Sequence, residues 1–386
     1  MSKNLISNTR NLVLLLLGFT FPLSVALSNI LVVLLAVLIL VDGNFSEKIQ
    51  KINSSKWMKS VLVLWGMYII YFFLFESFSD TFRIIKIISL LLFLTIFYTS
   101  SFSEKTIQKS VFAFLISMFL SSVIAIAENY EIINLNPNWT ISAFLKYTDH
   151  NVFLAFSLII SFYSLFAIKL ENKYRDIILF FIPVYLFSLF TEGGKSGQLV
   201  FLFSVILFLI FLFKKKWKLL LLSLISVFVF SAIIYNTSDI VKNRFNYEAK
   251  NILQNRKSDR NILLKETIIL IKKNPIFGYG TGSFTDEFGS VNEETQKVVN
   301  SQHKTPHNNY LYVWFELGIL GLIVFLSIFY FQIKELIKKA DGIFLILFPI
   351  MFLIIMFTDS YLFSQNTLVL YLFLSVITIN YQYKPS

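Results

Sequence analysis

The sequence contains no cysteine and few charged residues. Without cysteine, the chain forms neither disulfides nor zinc–thiolate or iron–sulfur sites. Charged residues make up 15% of its 386 residues and hydrophobic residues 56%, whereas soluble domains contain about 25% charged residues. Long uncharged runs recur along the sequence, unlike the short alternating segments of a membrane β-barrel. These features predict an all-α, polytopic membrane protein.

The formal net charge of +11 is explained by where the basic residues lie. Membrane proteins concentrate Lys and Arg in short loops on their cytoplasmic side. Here, short segments between apolar runs carry more than half of the basic residues, at positions 3, 10, 48, 51, 56, 59, 105, 109, 169, 173, 175, 214, 215, 216, 218, 334, 338, 339 and 384. We therefore assign these segments and both termini to the cytoplasm, and we expect no nucleic acid as a partner.

The apolar runs predict about twelve transmembrane helices. The first run continues from Asn11 to Val41, which is too long for one span and for the apolar part of a signal peptide. We expect two short helices there, joined at residues 22–28. The other predicted spans are 61–76, 84–100, 110–127, 151–168, 177–190, 198–213, 218–235, 309–333, 342–358 and 361–381. Residues 1–235 and 309–386 thus hold the spans.

Between them lies the longest loop, residues 236–308, which this topology places in the periplasm. Residues 259–273 of the loop have apolar side chains at helical spacing, and Pro275 follows. They predict an amphipathic helix on the outer leaflet. Arg260 would lie in its first turn, where free backbone N–H groups favour anions, and is therefore a candidate phosphate ligand. Pairing of Arg260 with lipid headgroups is the alternative.

Two glycine-containing segments resemble nucleotide-binding loops. GYGTGSF, at 278–284, does not follow a strand pattern, and we interpret it as a tight turn with close backbone packing. TEGGKSGQ, at 191–198, lacks the first glycine of a Walker A motif because Leu189 occupies that position. Lys195 remains a candidate anion ligand among the glycines. A lysine that only extends to the membrane interface is the alternative.

Residues 307–321 read HNNYLYVWFELGILG and place a histidine and a glutamate beside and within an apolar run. Such residues are costly at membrane depth and are functional candidates for that reason. We expect Thr305 and Pro306 to start a helix. His307 would then lie in its first turn, neutral and able to act as a general base. A capping or interfacial role for His307 is the alternative.

The other two histidines are compared with His307. His303 lies four residues earlier, but Pro306 intervenes and the local sequence offers no carboxylate to complete a metal site. We therefore expect neither a role for His303 nor a bound metal. His150 follows Asp149 at another predicted outer edge and is the rival base.

In combination, these residues resemble the O-antigen ligase and polymerase superfamily of bacterial membrane glycosyltransferases. The family signature is His-Asn, nine further residues and Gly-x-x-Gly. His307, Asn308, Gly318 and Gly321 match it at the same spacing. The resemblance extends over the whole chain, including the split first hairpin and the single long outer loop.

Two further segments match the family. Members carry an arginine whose helix ends fifteen residues later at a proline, followed by a glycine-rich turn, as Arg260, Pro275 and GYGTG do here. An earlier outer loop of the family resembles residues 194–197. This chain has Lys195 where arginine is commoner, and lysine does not bind phosphate in the bidentate manner of arginine.

The resemblance implies sugar transfer at the outer face of the membrane. A hydroxyl of the acceptor attacks the anomeric carbon of a glycan carried on undecaprenyl diphosphate, and the lipid diphosphate leaves. It implies His307 as the base, Arg260 and Lys195 as ligands of the diphosphate, and no cofactor. The supporting residues are Arg83, Lys86, Arg244, Arg256, Asn308, Glu316, Gly318 and Gly321.

Three functions remain open at this point. The leading interpretation is an O-antigen ligase whose acceptor is lipid A–core. A polymerase that joins lipid-linked repeat units has the same donor and motifs, and is the alternative. A lipid-linked sugar flippase or transporter is less favoured, because the sequence shows no two related halves with broken helices.

Overall fold

The structure, a computed structural model, describes residues 3–75, 78–134, 141–167, 172–237, 259–300, 303–339 and 342–381, together with residues 242 and 246. These residues are largely helical, which confirms the predicted all-α class. The exception is one antiparallel pair of two-residue strands, β1 (Ile141–Ser142) and β2 (Leu145–Lys146), in which Ile141 faces Lys146.

The described residues form seventeen α-helices. In chain order they are α1 (Lys3–Thr20), α2 (Val25–Val41), α3 (Phe45–Ser54), α4 (Lys56–Leu74), α5 (Thr81–Thr99), α6 (Glu104–Asn129), α7 (Tyr147–Ala167), α8 (Asn172–Thr191), α9 (Lys195–Phe213), α10 (Trp217–Thr237), α11 (Asp259–Lys273), α12 (Phe284–Gly289), α13 (Glu293–Asn300), α14 (Asn309–Leu336), α15 (Gly342–Leu345), α16 (Leu347–Ile355) and α17 (Gln365–Asn380). A 3₁₀ turn, Tyr361–Phe363, precedes α17.

The chain divides into two compact units. Unit 1 comprises Met1–Phe114 and Ser258–Ser386, and unit 2 comprises Leu115–Lys257. In unit 1 the longest helix, α14, packs along α4, and α17 packs on α5. In unit 2, α7 packs against α8 and α9. Of the 18 consecutive residues that form its most apolar part, 83% are buried.

The helix lengths confirm a polytopic membrane protein. Among the described residues, seven helices are long and apolar enough to cross a membrane, or eight if α2 and α3 form one bent span. The predicted total of about twelve is not confirmed. The difference lies partly in short apolar helices such as Gly342–Ile355 and Gln365–Asn380, which do not reach the length of a full span.

The first apolar run is split, as the sequence predicts. α1 ends at Thr20, and α2 begins after Ser24, whose Oγ accepts a hydrogen bond from the Leu27 N–H at 3.4 Å. Pro22 lies between the two helices and cannot donate to a continuing helix. Unlike the prediction, the chain then turns by 113° after α2 into α3, a short helix in which Lys51 is exposed.

The amphipathic helix expected at 259–273 forms as α11 with the predicted bounds. Its buried residues are Leu263, Thr267, Leu270 and Ile271, and this face packs on α13 and α14. Ile268 and Ile269, on other sides of the helix, are exposed. One face of α11 is therefore fixed against the protein, while its contact with the outer leaflet remains a prediction.

Candidate active site

Helix α14 is interrupted at Gly318, within the predicted glycine signature. Gly318 has φ 67° and ψ −171°, a conformation that essentially only glycine adopts. The interruption deprives the preceding carbonyls of their usual helical partners. Two N–H groups of the GYGTG turn replace them, because Tyr279 donates to the Phe315 carbonyl and Gly280 to the Glu316 carbonyl, each at 2.9 Å.

The connection between turn and helix is reciprocal and leaves no room for side chains. The Ile319 N–H donates back to the Pro275 carbonyl at 3.0 Å. A Cβ atom on Gly318 would lie 1.9 Å from the Ile276 carbonyl oxygen, and one on Gly278 would lie 2.6 Å from that of Phe315. The glycines of both motifs thus serve one backbone junction. The interpretation of GYGTG as a tight, closely packed turn is confirmed.

Glu316 is fully buried beside this junction. Its Oε1 accepts a hydrogen bond from the Gly282 N–H at 3.0 Å, and the phenols of Tyr68 and Tyr312 interact with its carboxylate. The carboxylate therefore holds the end of the GYGTG turn. Gly321, the last signature residue, is also tightly packed, since a Cβ there would lie 2.2 Å from the Leu317 Cβ.

Arg83 lies near Glu316 at the start of α5, where the carboxylate of Asp80 binds it. Its Nε donates to Asp80 Oδ1 at 3.0 Å and its Nη2 to Asp80 Oδ2 at 3.3 Å. Lys304 Nζ also reaches Asp80 Oδ1, at 3.5 Å. Lys86 is exposed one turn further along α5. The sequence identified Arg83 and Lys86 but gave no signal for Asp80 and Lys304, which come together only in the fold.

The helix does not start as the sequence suggested. α14 begins at Asn309, and Asn308 is its N-cap, with Oδ1 accepting the N–H groups of Tyr310 and Leu311 at 3.0 Å each. The expected start at Thr305 and Pro306 is wrong because an asparagine carboxamide satisfies two free helical N–H groups directly. His307 therefore lies before the helix, with φ 50° in the left-handed region.

Asp359 binds His307 from the turn that follows α16. The Nδ1 atom of His307 lies 2.8 Å from Asp359 Oδ1, and the Ser360 N–H donates to the same oxygen at 2.6 Å. Burial acts to raise the pKa of Asp359, but these hydrogen bonds and the charges of His307 and Arg260 outweigh it and lower that pKa. An ionised Asp359 favours the histidine tautomer with its proton on Nδ1, which leaves Nε2 as a hydrogen-bond acceptor.

His303 contacts the Nε2 atom of His307, a contact that the sequence did not predict. The His303 Nδ1 atom lies 3.0 Å from it, and His303 Nε2 lies 3.5 Å from Asp259 Oδ2. The chain reverses at the left-handed His307 and brings the two rings together despite Pro306. Asp359, His307, His303 and Asp259 thus form a continuous row. Among the described residues, no group of three or more potential ligands is placed to hold a metal ion.

Arg260 reaches the same turn as His307. Its Nη2 donates to the Thr358 carbonyl at 3.0 Å, and the arginine is exposed. Asp359, the next residue, binds His307. The fold of unit 1 therefore joins the predicted base and the predicted cation through residues 358–359, which the sequence analysis did not identify. A single aspartate in an apolar region was the one available signal.

Lys195 belongs to unit 2, where it is the exposed first residue of α9. Asn151 fills the space in front of the glycines that flank it, since a Cβ on Gly194 or Gly197 would lie 2.3 or 2.2 Å from atoms of Asn151. This packing fixes the start of α9 against α7. Arg244 and Arg256, the remaining predicted supporting residues, lie outside the residues that the structure describes.

The rival base His150 is completely buried in unit 2. Its Nδ1 atom lies 2.9 Å from Glu192 Oε2, and Ser188 Oγ donates to Glu192 Oε1 at 2.5 Å. A buried histidine tied to a buried glutamate has no direct access for a sugar hydroxyl. The geometry therefore favours His307, which is partly exposed, as the base.

Comparison with known proteins finds similarity in the part of the chain that holds these candidate residues. Residues 177–326, which include Lys195, Arg260, His307 and Gly321, match the family described as O-Antigen ligase. The chain is 28% identical over 248 residues to the O-antigen ligase of Salmonella typhimurium, covering 60% of this chain and 57% of that protein. It is also 28% identical over 202 residues to an uncharacterized protein of Haemophilus influenzae, covering 47% and 49%.

These matches span about half the length of each relative. The segment that matches the family contains the whole of α11, the histidine His307 and the interrupted helix α14 up to Leu326. Together with the membrane-spanning helices, the matches agree with the motifs that the sequence displays. The matches and the motifs together support the O-antigen ligase superfamily for this chain.

Proposed function

We propose that this protein is an O-antigen ligase-type glycosyltransferase that needs no metal. It would move a glycan from undecaprenyl diphosphate to a sugar hydroxyl of lipid A–core, at the periplasmic face of the bacterial inner membrane. The observation that carries the proposal is the pairing of His307 with Asp359 beside Arg260, in a member of this superfamily. A histidine oriented by a carboxylate is a general base, and a neighbouring guanidinium suits a departing diphosphate.

In the proposed reaction, Nε2 of His307 accepts the proton of the acceptor hydroxyl. The hydroxyl oxygen forms a bond to the anomeric carbon, and the bond between that carbon and the diphosphate oxygen breaks. The bonding electrons leave with the lipid diphosphate. Asp359 stabilises the imidazolium that forms, since its carboxylate already accepts the Nδ1 proton.

His303 adds a step to this mechanism. Its Nδ1 atom lies at hydrogen-bond distance from the Nε2 atom that must receive the proton. The acceptor hydroxyl therefore has to replace His303 at that atom before His307 can accept its proton. Asp259, on the far side of His303, is available to stabilise the second imidazole in its charged form.

Each of the two proposed ligands of the diphosphate lies at the start of a helix. Arg260 lies in the first turn of α11, and Lys195 is the first residue of α9. Free N–H groups and the helix dipole favour an anion at both helix starts. Arg83, Lys86, Arg244 and Arg256 would add positive charge near the site. Asn308, Glu316 and the signature glycines would hold its backbone in place.

Deletion of the gene in its source bacterium tests the proposal. We expect lipopolysaccharide without any O-antigen and accumulation of polymer on the lipid carrier, because the last transfer step is missing. Survival of single repeat units on the core would instead identify a polymerase. Normal lipopolysaccharide would contradict both functions. The intact gene on a plasmid should restore the wild-type profile and serves as the control.

Arg260 is expected to be essential for transfer. Replacement by alanine should lower activity by roughly 10²-fold or more, as loss of a charge-stabilising donor does in other enzymes. Arg260→Lys should retain part of the activity, because lysine binds phosphate as a point charge. Transfer would be measured with lipid-linked donor and purified core acceptor. Lys265→Ala, an exposed change on the same helix, is the control.

A fully active, well-folded Arg260→Ala protein would show that another group binds the diphosphate. Lys195→Arg should be tolerated, whereas Lys195→Ala should impair transfer, because the lysine is proposed to act through its charge. Equal activity of both Lys195 variants would remove this residue from the site.

The proposed orientation is testable by itself. Alkaline phosphatase fused after residue 250 is expected to be active, because the loop 236–308 would lie in the periplasm. The same enzyme fused after residue 216 should be inactive, since Lys214, Lys215 and Lys216 mark a cytoplasmic segment. The reverse pattern would put the active site in the cytoplasm and contradict the mechanism.

A further inference from the structure

Unit 1 contains a basic cavity at the end of α14 that lies away from His307. The cavity has a volume of about 620 Å³ and opens where α3, α4, α5, α14 and α17 approach one another. Its lining residues are Lys51, Ser54, Ser55, Lys56, Trp57, Tyr98, Phe331, Lys334, Glu335, Leu336, Lys338, Lys339 and Ile379. Its size is that of a site for a small molecule.

The charge of the lining is unbalanced. Five of these residues are lysines, and Glu335 is the acidic residue among them. The oxygens of Glu335 already bind hydroxyl groups, since Ser55 Oγ donates to Oε1 at 2.6 Å and the Tyr98 hydroxyl to Oε2 at 3.1 Å. The described lining thus carries an excess of positive charge around one partly open cavity, which favours an anion.

Lys339 is fixed inside this cavity. Its Nζ atom donates to the carbonyls of Thr378 at 2.8 Å, of Ile379, and of Tyr381 at 3.4 Å, at the end of α17. Burial and the neighbouring Lys51 lower the pKa of Lys339 to about 8, against the opposing influence of Glu335. Below about pH 8 the charged amine therefore costs stability, and this cost decreases as the pH rises towards the ordinary lysine value.

The lining also indicates which kind of anion fits the cavity. Phe331 and Ile379, which are partly exposed, provide apolar surface beside the ammonium groups. Lys56 lies 5.8 Å from the centre of the Phe331 ring, and Lys51 lies 5.4 Å from that of Tyr98. A ligand with a negative head and an apolar body satisfies both parts of the surface. Basic pockets between membrane helices characteristically hold lipid phosphates.

We propose that this cavity binds the phosphate headgroup of an anionic phospholipid. The lysines would neutralise the phosphate, and the aromatic and aliphatic side chains would contact the glycerol and the upper part of the acyl chains. A bound lipid would connect the ends of α4, α14 and α17, and so stabilise the unit that also carries His307. Free phosphate and soluble phosphate esters have the same charged group, and the experiment separates them from lipid.

The test uses the full-length protein, purified in detergent and freed of lipid. Binding of phosphatidylglycerol and phosphatidylcholine would be compared by native mass spectrometry and by the shift in thermal unfolding. A ligand that binds only the folded protein raises its apparent stability. We expect retention of phosphatidylglycerol and a higher unfolding temperature with it, and neither effect with phosphatidylcholine.

Matched variants locate the binding. The triple change K51Q/K334Q/K338Q, which spares the helix-capping Lys339, should weaken phosphatidylglycerol binding at least tenfold. K51R/K334R/K338R should keep it, because the positive charge remains. K214Q/K215Q/K216Q removes three exposed lysines that lie outside the cavity and should bind like the wild type.

Equal losses in both glutamine variants would mean general attraction to a basic surface and would overturn the proposal. Wild-type binding by K51Q/K334Q/K338Q would overturn it as well. Glycerol 3-phosphate and inorganic phosphate should stabilise the protein far less than phosphatidylglycerol. If they stabilise it equally, the site is one for soluble phosphate, and the lipid assignment is wrong.

Discussion

Replacement of His307 by alanine is expected to lower sugar transfer by about 10²–10⁴-fold, the usual contribution of a general base. The protein should still fold and bind the lipid-linked donor, since His307 precedes α14 and Asn308 caps the helix without it. Initial rates with purified donor and acceptor would measure the loss, and co-purification of donor would report binding.

Asp359→Asn provides the sharper test of the same pair. The asparagine carboxamide is neutral and can present either a donor or an acceptor to Nδ1, so it neither fixes the tautomer nor stabilises the imidazolium. A loss approaching that of His307→Ala is expected. Because the pKa of Asp359 is lowered, its carboxylate stays charged in mildly acidic solution. The negative charge is lost only as the pH falls through that lowered value. Protonation of Asp359 should therefore not be the cause of any decline of activity in mild acid.

The sequence and the structure predict different effects for a replacement of His303. Sequence reasoning expects His303→Ala to be nearly silent, whereas its contact with Nε2 of His307 predicts a measurable loss that is smaller than that of His307→Ala. If both histidines handle one proton, the double variant should be no worse than His307→Ala alone, because their effects are not additive.

Two results would contradict the assignment of the base. Substantial activity in a well-folded His307→Ala protein, combined with an inactive but folded His150→Ala protein, would move the base to unit 2. The resemblance to the O-antigen ligase family would survive that result, and the proposed site would not. Additive losses in the double variant would separate the roles of His303 and His307.

Local patterns were sufficient for much of this molecule. The bounds of α11, the split between α1 and α2, and the tight turn at GYGTG follow from helix periodicity, from Pro22 and from clustered glycine. Each of these features depends on residues within one or two helical turns. For that reason one sequence, without any structural information, was enough to predict them.

The missing parts of the site are contacts between distant segments. Asp359 contacts His307, although α14, α15 and α16 lie between them in the sequence. Asp80 contacts Lys304, which lies 224 residues further along the chain. No local pattern marks either carboxylate. The basic cavity shows the same limit, since lysines 51, 334, 338 and 339 indicated only membrane orientation in the sequence. Their convergence on one space results from packing of α3, α14 and α17.

Replacement of Gly318 by alanine is expected to disrupt the structure that supports the site. The conformation at Gly318 alone costs an L-residue roughly 1–3 kcal/mol. The added Cβ would also lie 1.9 Å from the Ile276 carbonyl oxygen, far inside any normal contact. Backbone atoms cannot move aside as a flexible side chain can, so the turn at residues 275–280 has to separate from α14.

Gly66→Ala is the matched control for this change. Gly66 lies within α4, and a Cβ there would meet no atom within 4 Å. We expect Gly318→Ala to lower the unfolding temperature in detergent by roughly 5 °C or more and to abolish transfer, while Gly66→Ala changes neither. Separation of the turn would break the hydrogen bonds that the Phe315 and Glu316 carbonyls accept from Tyr279 and Gly280. A stable and active Gly318→Ala protein would show that the junction is not needed, and that the glycine signature serves the substrate and not the backbone.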